Sequence, residues 1–150
     1  MNSAPLSSRR SAVPNALVGA LLVAAFVGFA DATYLTAKHV LGTPLACLVF
    51  AGCEKVTTSR YAFVFGIPLA AYGAAYYLAI LLALVAYLDT RHATVLRTAA
   101  AFTAVGFLAS AYFVYLQLFV IHAICPYCML SAAASTTLFV LGVFVLRRTV

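Results

Sequence analysis

Residues 120–146 read VIHAICPYCMLSAAASTTLFVLGVFVL, and this stretch decides the fold. Its Cys-x-x-Cys motif, Cys125 and Cys128, stands at the head of an apolar run long enough to cross a bilayer. Soluble redox proteins carry such a motif at the head of a helix in a βαβ setting. No alternating strand pattern surrounds it here, so the motif marks the start of a membrane helix.

The composition is that of an integral membrane protein. Hydrophobic residues make up 66% of the 150 residues and charged residues 8%, whereas a soluble domain has about 45–50% and about 25%. The net charge of +6 comes from basic residues near the ends of apolar runs. This arrangement fits membrane topology and predicts a lipid bilayer, and no nucleic acid, as the surroundings of the chain.

Four apolar stretches have the length of a membrane span, at about residues 15–40, 67–88, 94–121 and 124–146. Backbone groups in lipid must be satisfied internally, so the spans are expected to be helices. The length allows one integral membrane domain over 1–150. We therefore predict an all-α, polytopic four-helix bundle, with the loop from Leu41 to Phe65 capping it.

Four spans place both termini on one side of the membrane. Lys38, Lys55 and Arg60 then lie on the opposite side, against six basic residues on the side of the termini. The positive-inside rule predicts cytoplasmic termini, in a bacterial inner membrane. The six residues on the side of the termini are Arg9, Arg10, Arg91, Arg97, Arg147 and Arg148.

All four cysteines fall on the extracytoplasmic side of this topology: Cys47 and Cys53 in the first loop, Cys125 and Cys128 at the fourth span. That compartment permits disulfides, which leaves structural staples as one interpretation. A zinc site is another, but the spacing is poor for zinc and an oxidising compartment opposes it. A vicinal pair one helical turn apart is typical of redox chemistry. Four cysteines still allow three full pairings.

The start of the fourth span favours a relay of electrons. Pro126 suits a first helical turn, and the helix dipole there favours a thiolate at Cys125. Cys128, one turn deeper, is placed to meet a molecule that lives in the membrane. Cys47 and Cys53, on a loop, are placed to meet a soluble protein. Exchange between the two pairs predicts electron transfer from a protein to a membrane quinone.

These residues resemble the vitamin K epoxide reductase family, in particular its bacterial homologues. The matching features are the loop pair Cys47 and Cys53, the segment VTTSRY with Ser59, GIP at the second span, and CPYC at the fourth. The resemblance covers nearly the whole chain. The DsbB-type thiol oxidases, an alternative, carry the vicinal pair in the first outer loop and the separated pair in the second, the reverse of this order.

The resemblance implies a four-helix bundle around a quinone of the ubiquinone or menaquinone type. It implies that Cys128 reacts with the quinone and that Cys125 exchanges with the loop. Cys53 would be the loop partner of Cys125, and Cys47 the contact for an external thiol protein. Ser59 matches a family serine close to the active site, which makes it a candidate quinone-binding residue with Cys128.

The resemblance also bears on the partner and the substrate. Many bacterial members carry a fused thioredoxin-like domain, and this sequence ends at Val150 without one, so a separate thioredoxin-like periplasmic protein is the expected partner. The animal enzymes have a tyrosine one turn beyond the vicinal pair, near the position of Ala132 here. Plain quinone reduction therefore fits better than vitamin K epoxide reduction.

Several other residues have two interpretations. Asp31 within the first span is either functional, because a carboxylate in lipid is costly, or paired with Lys38. His122 precedes Cys125 by one turn and is either a proton carrier or an interfacial residue. Thr57, Thr58 and Ser59 are candidates to cap a short interfacial helix, and Gly66, Gly73 and Gly106 to permit close helix approach.

A non-catalytic scaffold or transporter with structural disulfides is the alternative from another class. A transporter is expected to show inverted repeats or broken helices, and neither is clear in the sequence. Several tyrosines are candidates to line a quinone pocket, but the sequence does not select among them. They are Tyr34, Tyr72, Tyr76, Tyr112 and Tyr115.

Overall fold

The fold is a bundle of long helices, seen in a computed structural model that describes residues 13–47 and 52–149. Arg9, Arg10 and the segment 48–51 of the predicted cap lie outside the described residues. The helices are α1 (Asn15–Val40), α2 (Gly52–Thr57), α3 (Leu69–Thr90), α4 (Ala93–Tyr115) and α5 (Pro126–Thr149). Four helical stretches are long and apolar enough to cross a membrane, α4 together with the π-helical segment Leu116–Ile121. The predicted all-α four-helix bundle is confirmed.

The bundle core runs the length of the long helices. Helix α1 packs against α3 and α5, and α4 packs extensively against α5 and less so against α3. Apolar side chains from all four helices are almost completely buried between them, whereas others point outward into lipid. Buried examples are Leu21, Ile80, Leu96 and Leu138, and outward ones are Phe26, Val85 and Leu108. Because lipid tails are as apolar as leucine, close packing holds the helices together.

Close packing of α3 on α4 depends on Gly106. A Cβ atom at this position would overlap the hydroxyl end of the Tyr76 ring. The Tyr76 hydroxyl also donates to the carbonyl oxygen of Thr103 at 3.5 Å. The interpretation of Gly106 as a residue of close helix approach is therefore correct, and it places an aromatic ring between the two helices.

A short hairpin precedes α3. Strand β1 (Phe63–Val64) pairs antiparallel with β2 (Ile67–Pro68) across a turn in which Phe65 and Gly66 both have positive φ, 52° and 79°. Gly66 thus serves a two-residue turn rather than helix approach. The Tyr72 hydroxyl donates to the Val64 carbonyl oxygen at 3.2 Å and ties the hairpin to α3. Helix α3 consequently begins at Leu69, two residues after the start expected from the sequence.

The three hydroxyl groups expected to cap a short helix lie at the C-terminal end of α2. Thr57 Oγ1 donates to the Cys53 carbonyl oxygen at 2.8 Å, and Thr58 Oγ1 donates to that of Glu54 at 2.6 Å. Ser59 Oγ donates to the Val56 carbonyl oxygen at 2.8 Å. All three therefore donate to carbonyl groups at the C-terminal end of α2. Ser59 also occupies the N-cap position of the short 3-10 helix Arg60–Ala62, without a side-chain cap hydrogen bond.

The connection from α4 to α5 is tight. The π-helical segment Leu116–Ile121 ends at His122, whose φ of 51° turns the chain. The peptide N–H groups of His122 and Ala123 both donate to the Gln117 carbonyl oxygen, the second at 3.1 Å. These hydrogen bonds tighten the turn, which places the Cys-x-x-Cys motif at the end of the bundle where α2 lies.

Candidate active site

All four cysteines meet at one end of the bundle. Cys47 and Cys53 form a disulfide with Cα atoms 6.3 Å apart. Cys53 is 1% exposed and Cys125 is 0% exposed, and both belong to one packed cluster with Val56. Cys47 and Cys128 pack against this cluster and stay partly exposed. The two pairs predicted from the sequence are thus brought together, one oxidised and one as free thiols.

Helix α2 reaches the vicinal pair because Gly52 has no side chain. A Cβ atom there would lie 2.5 Å from the carbonyl oxygen of Ile124, the residue before Cys125. The Tyr127 hydroxyl donates to the Ala46 carbonyl oxygen at 3.3 Å, next to Cys47. The loop that carries the disulfide therefore contacts the start of α5 near Cys47 and the segment just before α5 near Cys53.

Cys125 occupies the cap position at the start of α5, and Pro126 is the first helical residue. The Cys125 sulfur accepts a hydrogen bond from the peptide N–H of Cys128 at 3.4 Å, as a serine or aspartate cap would. Hydrogen bonding from Cys128, first from its thiol and further from its peptide N–H, lowers the pKa of the Cys125 thiol to about 7, against the opposing effect of burial. Cys125 is thus prepared to act as a thiolate near neutral pH.

Cys128 faces a cavity of about 380 Å³ inside the bundle. The walls are mainly apolar, which suits a lipid-soluble ligand, and a few polar side chains reach them. Ala132, one turn beyond Cys128, also lines it. The polar and aromatic residues of the lining include His39, Ser59, Tyr61, Tyr72, Tyr76, Tyr77, Gln117 and Ser131.

Two tyrosines of α3 form part of this wall. The Tyr77 hydroxyl donates to the Ser131 carbonyl oxygen at 2.6 Å and lies 3.1 Å from the Ser131 hydroxyl. Tyr76 packs edge-on against Tyr77, with ring centroids 5.1 Å apart. Of the tyrosines named as candidates from the sequence, Tyr72 and Tyr76 line the cavity, whereas Tyr34, Tyr112 and Tyr115 do not.

Gln117 is a site residue that the sequence reasoning missed. It is 3% exposed, lines the cavity, and its Oε1 accepts the peptide N–H of Cys125 at 3.0 Å. The signal was present: an amide side chain inside the apolar stretch VYLQLFVI, where polar groups are costly and tend to be functional. π-Helical segments such as the one that carries it are frequent at functional sites.

Asp31 does not form the expected pair with Lys38. Its side chain is 7% exposed, and Oδ2 has no hydrogen-bond partner in the described part of the chain. Lys38 Nζ lies instead 5.8 Å from the centre of the Tyr34 ring. His122 is exposed, and His39 lines the cavity with its ring edge-on to Phe63.

Ser59 lines the cavity from the loop side, next to Val56. Its hydroxyl donates to the Val56 carbonyl oxygen, so its oxygen is still free to accept a hydrogen bond. Within residues 13–47 and 52–149, no three His, Cys, Asp or Glu residues are grouped as metal ligands. What the site offers chemically is thiol–disulfide exchange beside an apolar cavity.

Comparison with known proteins identifies the family of the chain. The family model of the vitamin K epoxide reductase family matches residues 19–143, which include both cysteine pairs and all four long helices in large part. No curated protein matches the sequence. The chain therefore belongs to the vitamin K epoxide reductase family and is a multi-pass membrane thiol–disulfide oxidoreductase.

Proposed function

We propose that this protein oxidises a separate thioredoxin-like protein and passes the two electrons through both cysteine pairs to a membrane quinone, of the ubiquinone or menaquinone type. The observation that carries the proposal is the order of groups at one end of the bundle. A partly exposed Cys47 is bonded to a buried Cys53, which packs with Cys125, while Cys128 faces the cavity. This order describes a path from the surface to the bundle interior.

The first step is exchange with the partner. A thiolate of the partner attacks Cys47 and breaks the Cys47–Cys53 bond, which forms a mixed disulfide and releases Cys53 as a thiolate. The second thiol of the partner then attacks the mixed disulfide, so the partner leaves oxidised and both loop cysteines are reduced. Cys47 suits the first contact because it is the more exposed cysteine of the pair.

The second step returns the loop to its oxidised form. The Cys53 thiolate attacks Cys125 in an oxidised Cys125–Cys128 pair and releases Cys128. Cys47 then attacks Cys53 in the mixed disulfide, which restores the loop disulfide and leaves Cys125 and Cys128 reduced. The packing of Cys53 with Cys125 supports this choice of partners.

The third step oxidises the vicinal pair. Cys125 and Cys128 lose two electrons and two protons as they form a disulfide. The quinone accepts the two electrons and two protons and becomes a hydroquinone. The cavity at Cys128 has the size and apolar lining of small-molecule sites, which run from about 300 to 1,000 Å³. Ser59 and Cys128 are the proposed contacts, and the Ser59 oxygen can accept a hydrogen bond from the hydroquinone product. The arrangement with the loop disulfide formed and the vicinal thiols free corresponds to the state before this step.

The proposed location is a bacterial inner membrane with both termini cytoplasmic. An oxidising extracytoplasmic compartment suits the end that carries the disulfide. Among the described residues, Arg91, Arg97, Arg147 and Arg148 stand at the ends of α3, α4 and α5 remote from the cysteines, and the positive-inside rule favours the cytoplasm for that end.

The test is quinone reduction by purified protein with a reduced thioredoxin-like donor, comparing the wild type with Cys128→Ser. We expect the substitution to lower the rate by a thousandfold or more, on the order seen when a nucleophile is removed. Met129→Leu removes the neighbouring sulfur from the same helix turn, and it should stay within about twofold of the wild type.

The opposite outcome favours the scaffold or transporter with structural disulfides. A wild type that reduces neither ubiquinone nor menaquinone analogues, with several thiol donors, would overturn the proposed function. The lowered pKa of Cys125 argues against that alternative, because a structural thiol needs no activation.

A further inference from the structure

Gln117 connects the vicinal pair to the cavity. Its backbone carbonyl oxygen accepts the N–H groups of His122 and Ala123, and its side-chain Oε1 accepts that of Cys125. One residue thus holds three peptide groups of the segment that positions Cys125. The same residue lines the cavity that Cys128 faces.

The contact with Cys125 fixes which way the amide points. A peptide N–H can only donate, so the side-chain atom 3.0 Å from it is the acceptor oxygen, Oε1. The two N–H groups of Nε2 are consequently turned away from Cys125. They donate to no protein atom in the described ranges, although Gln117 is 97% buried. Because Gln117 lines the cavity, a ligand bound there can accept the hydrogen bonds that Nε2 still has to offer.

We propose that Gln117 is a quinone-binding residue, whose Nε2 donates a hydrogen bond to one quinone carbonyl oxygen while Oε1 holds the peptide N–H of Cys125. The inference rests on the proposed quinone chemistry of the cavity. One planar amide would thereby fix the distance and orientation between the acceptor and the vicinal pair.

Such a donor also acts on the rate. As the vicinal pair delivers its two electrons, negative charge develops on the quinone oxygens before the protons arrive. A preorganised N–H group in an apolar cavity stabilises that charge more strongly than it binds the neutral carbonyl. We therefore expect a larger effect of Gln117 on kcat/KM than on quinone affinity.

The kinetic test uses Gln117→Met, which keeps the length of the side chain and removes the amide. We expect quinone affinity to fall by about tenfold and kcat/KM for a soluble ubiquinone analogue by about a hundredfold. Reoxidation of the reduced vicinal pair by diamide, which has no quinone carbonyl, should change by less than about threefold. Thr98→Val, whose hydroxyl donates to Thr94 on the same helix away from the cavity, is the control.

Equal slowing with quinone and with diamide would mean that Gln117 only positions Cys125, and it would overturn the inference. So would an unchanged kcat/KM for quinone in Gln117→Met. Failure of the wild type to bind or reduce quinone is a different result, because it would remove the proposed function itself.

A spectroscopic measurement on the wild type can overturn the inference even if Gln117→Met does not fold. Carbonyl-labelled quinone is bound to wild-type protein with both cysteine pairs oxidised, so that no electrons can be transferred. A hydrogen bond from Nε2 lowers the infrared stretching frequency of one carbonyl relative to the same quinone in detergent. Two unshifted carbonyl bands would overturn the inference, and a folded Gln117→Met should lose the shift.

Discussion

The two cysteine pairs share a design but differ in their surroundings. Each has one cysteine buried in the common cluster, Cys53 or Cys125, and one that is more exposed, Cys47 or Cys128. The loop pair lies on a short helix and the chain before it. The vicinal pair is held by helix α5, by Pro126 and by Gln117.

Under the proposed function, this difference would give the electron transfer its direction. The buried members pack in one cluster with Val56, whereas the outer members have two different surroundings. Cys47 is partly exposed at the surface of the loop, and Cys128 lines the apolar cavity. Under the proposed function, the protein partner would meet Cys47 and the quinone would meet Cys128.

Cys47→Ala changes the loop pair alone, and it has the largest expected effect of the variants that follow. Oxidation of a thioredoxin-like partner should fall by a hundredfold or more, on the order expected for loss of a reacting group. Oxidation of dithiothreitol should persist in part, because a small dithiol can reach the vicinal pair directly. The measurement is the rate of quinone reduction with each donor in turn.

Two further variants complete that experiment. Thr43→Ala, in the same loop, should behave as the wild type with both donors. Replacement of Cys47 and Cys53 together should match Cys47→Ala in its effect on the partner. Normal turnover of the partner by Cys47→Ala would show that the order of the relay is wrong.

The sequence predicted the parts of this molecule that depend on local composition. Four helices followed from the length of the apolar runs, and the start of α5 followed from Pro126 after Cys125. The family followed from the order and spacing of the cysteines, and the match over residues 19–143 confirms it. The helix lengths and the start of α5 are each written in a contiguous segment, and the family is written in the order of several short motifs along the chain.

The parts that were missed depend on which helix face meets which neighbour. In a soluble protein, polar and apolar faces alternate and show the buried side. In lipid, the outward face is apolar as well, so Phe26 and Leu21 look alike in the sequence although one is exposed and one buried. For that reason Tyr76 could not be chosen over Tyr112 for the cavity. Gln117 is a different case, because an amide inside an apolar stretch was a readable signal in the sequence.

The cavity beside the vicinal pair depends on the close packing of α3 on α4, and Gly106→Ala tests that packing. The added methyl group overlaps the Tyr76 ring, so α3 and α4 must separate or the ring must move. We expect a loss of about 1–3 kcal/mol in the free energy of unfolding, the usual range for overpacking. The measurement is thermal or denaturant unfolding in detergent.

Gly19→Ala is the matched control for that substitution, because no atom lies within 4 Å of the position of its Cβ. It is also helical, so it should be neutral or slightly stabilising. Equal stability of Gly106→Ala and Gly19→Ala would contradict the packing of Tyr76 on α4. Quinone reduction by Gly106→Ala should fall more than partner exchange at the loop disulfide.

The smallest expected effect is a shift in the pKa of Cys125, which separates an activated thiol from an ordinary one. With the loop disulfide intact, the thiolate absorbance of the wild type should rise with a midpoint near the pKa of about 7 of Cys125. Cys128→Ala removes the thiol whose hydrogen bond is the main cause of that lowering. The midpoint should then move upward towards the ordinary cysteine pKa of about 8.5, while the peptide N–H of residue 128 retains part of the effect.

The sign of the linked stability follows from that shift. Because the pKa of Cys125 is lower in the folded protein than in the unfolded chain, its ionisation stabilises the fold. This contribution is fully present above the unfolded pKa of about 8.5 and is lost as the pH falls through about 7. The stability difference between the wild type and Cys128→Ala should therefore contain a component that disappears in acid. Identical titration midpoints in the two proteins would show that Cys128 does not activate its neighbour, and the vicinal pair would then differ from the loop pair in position alone.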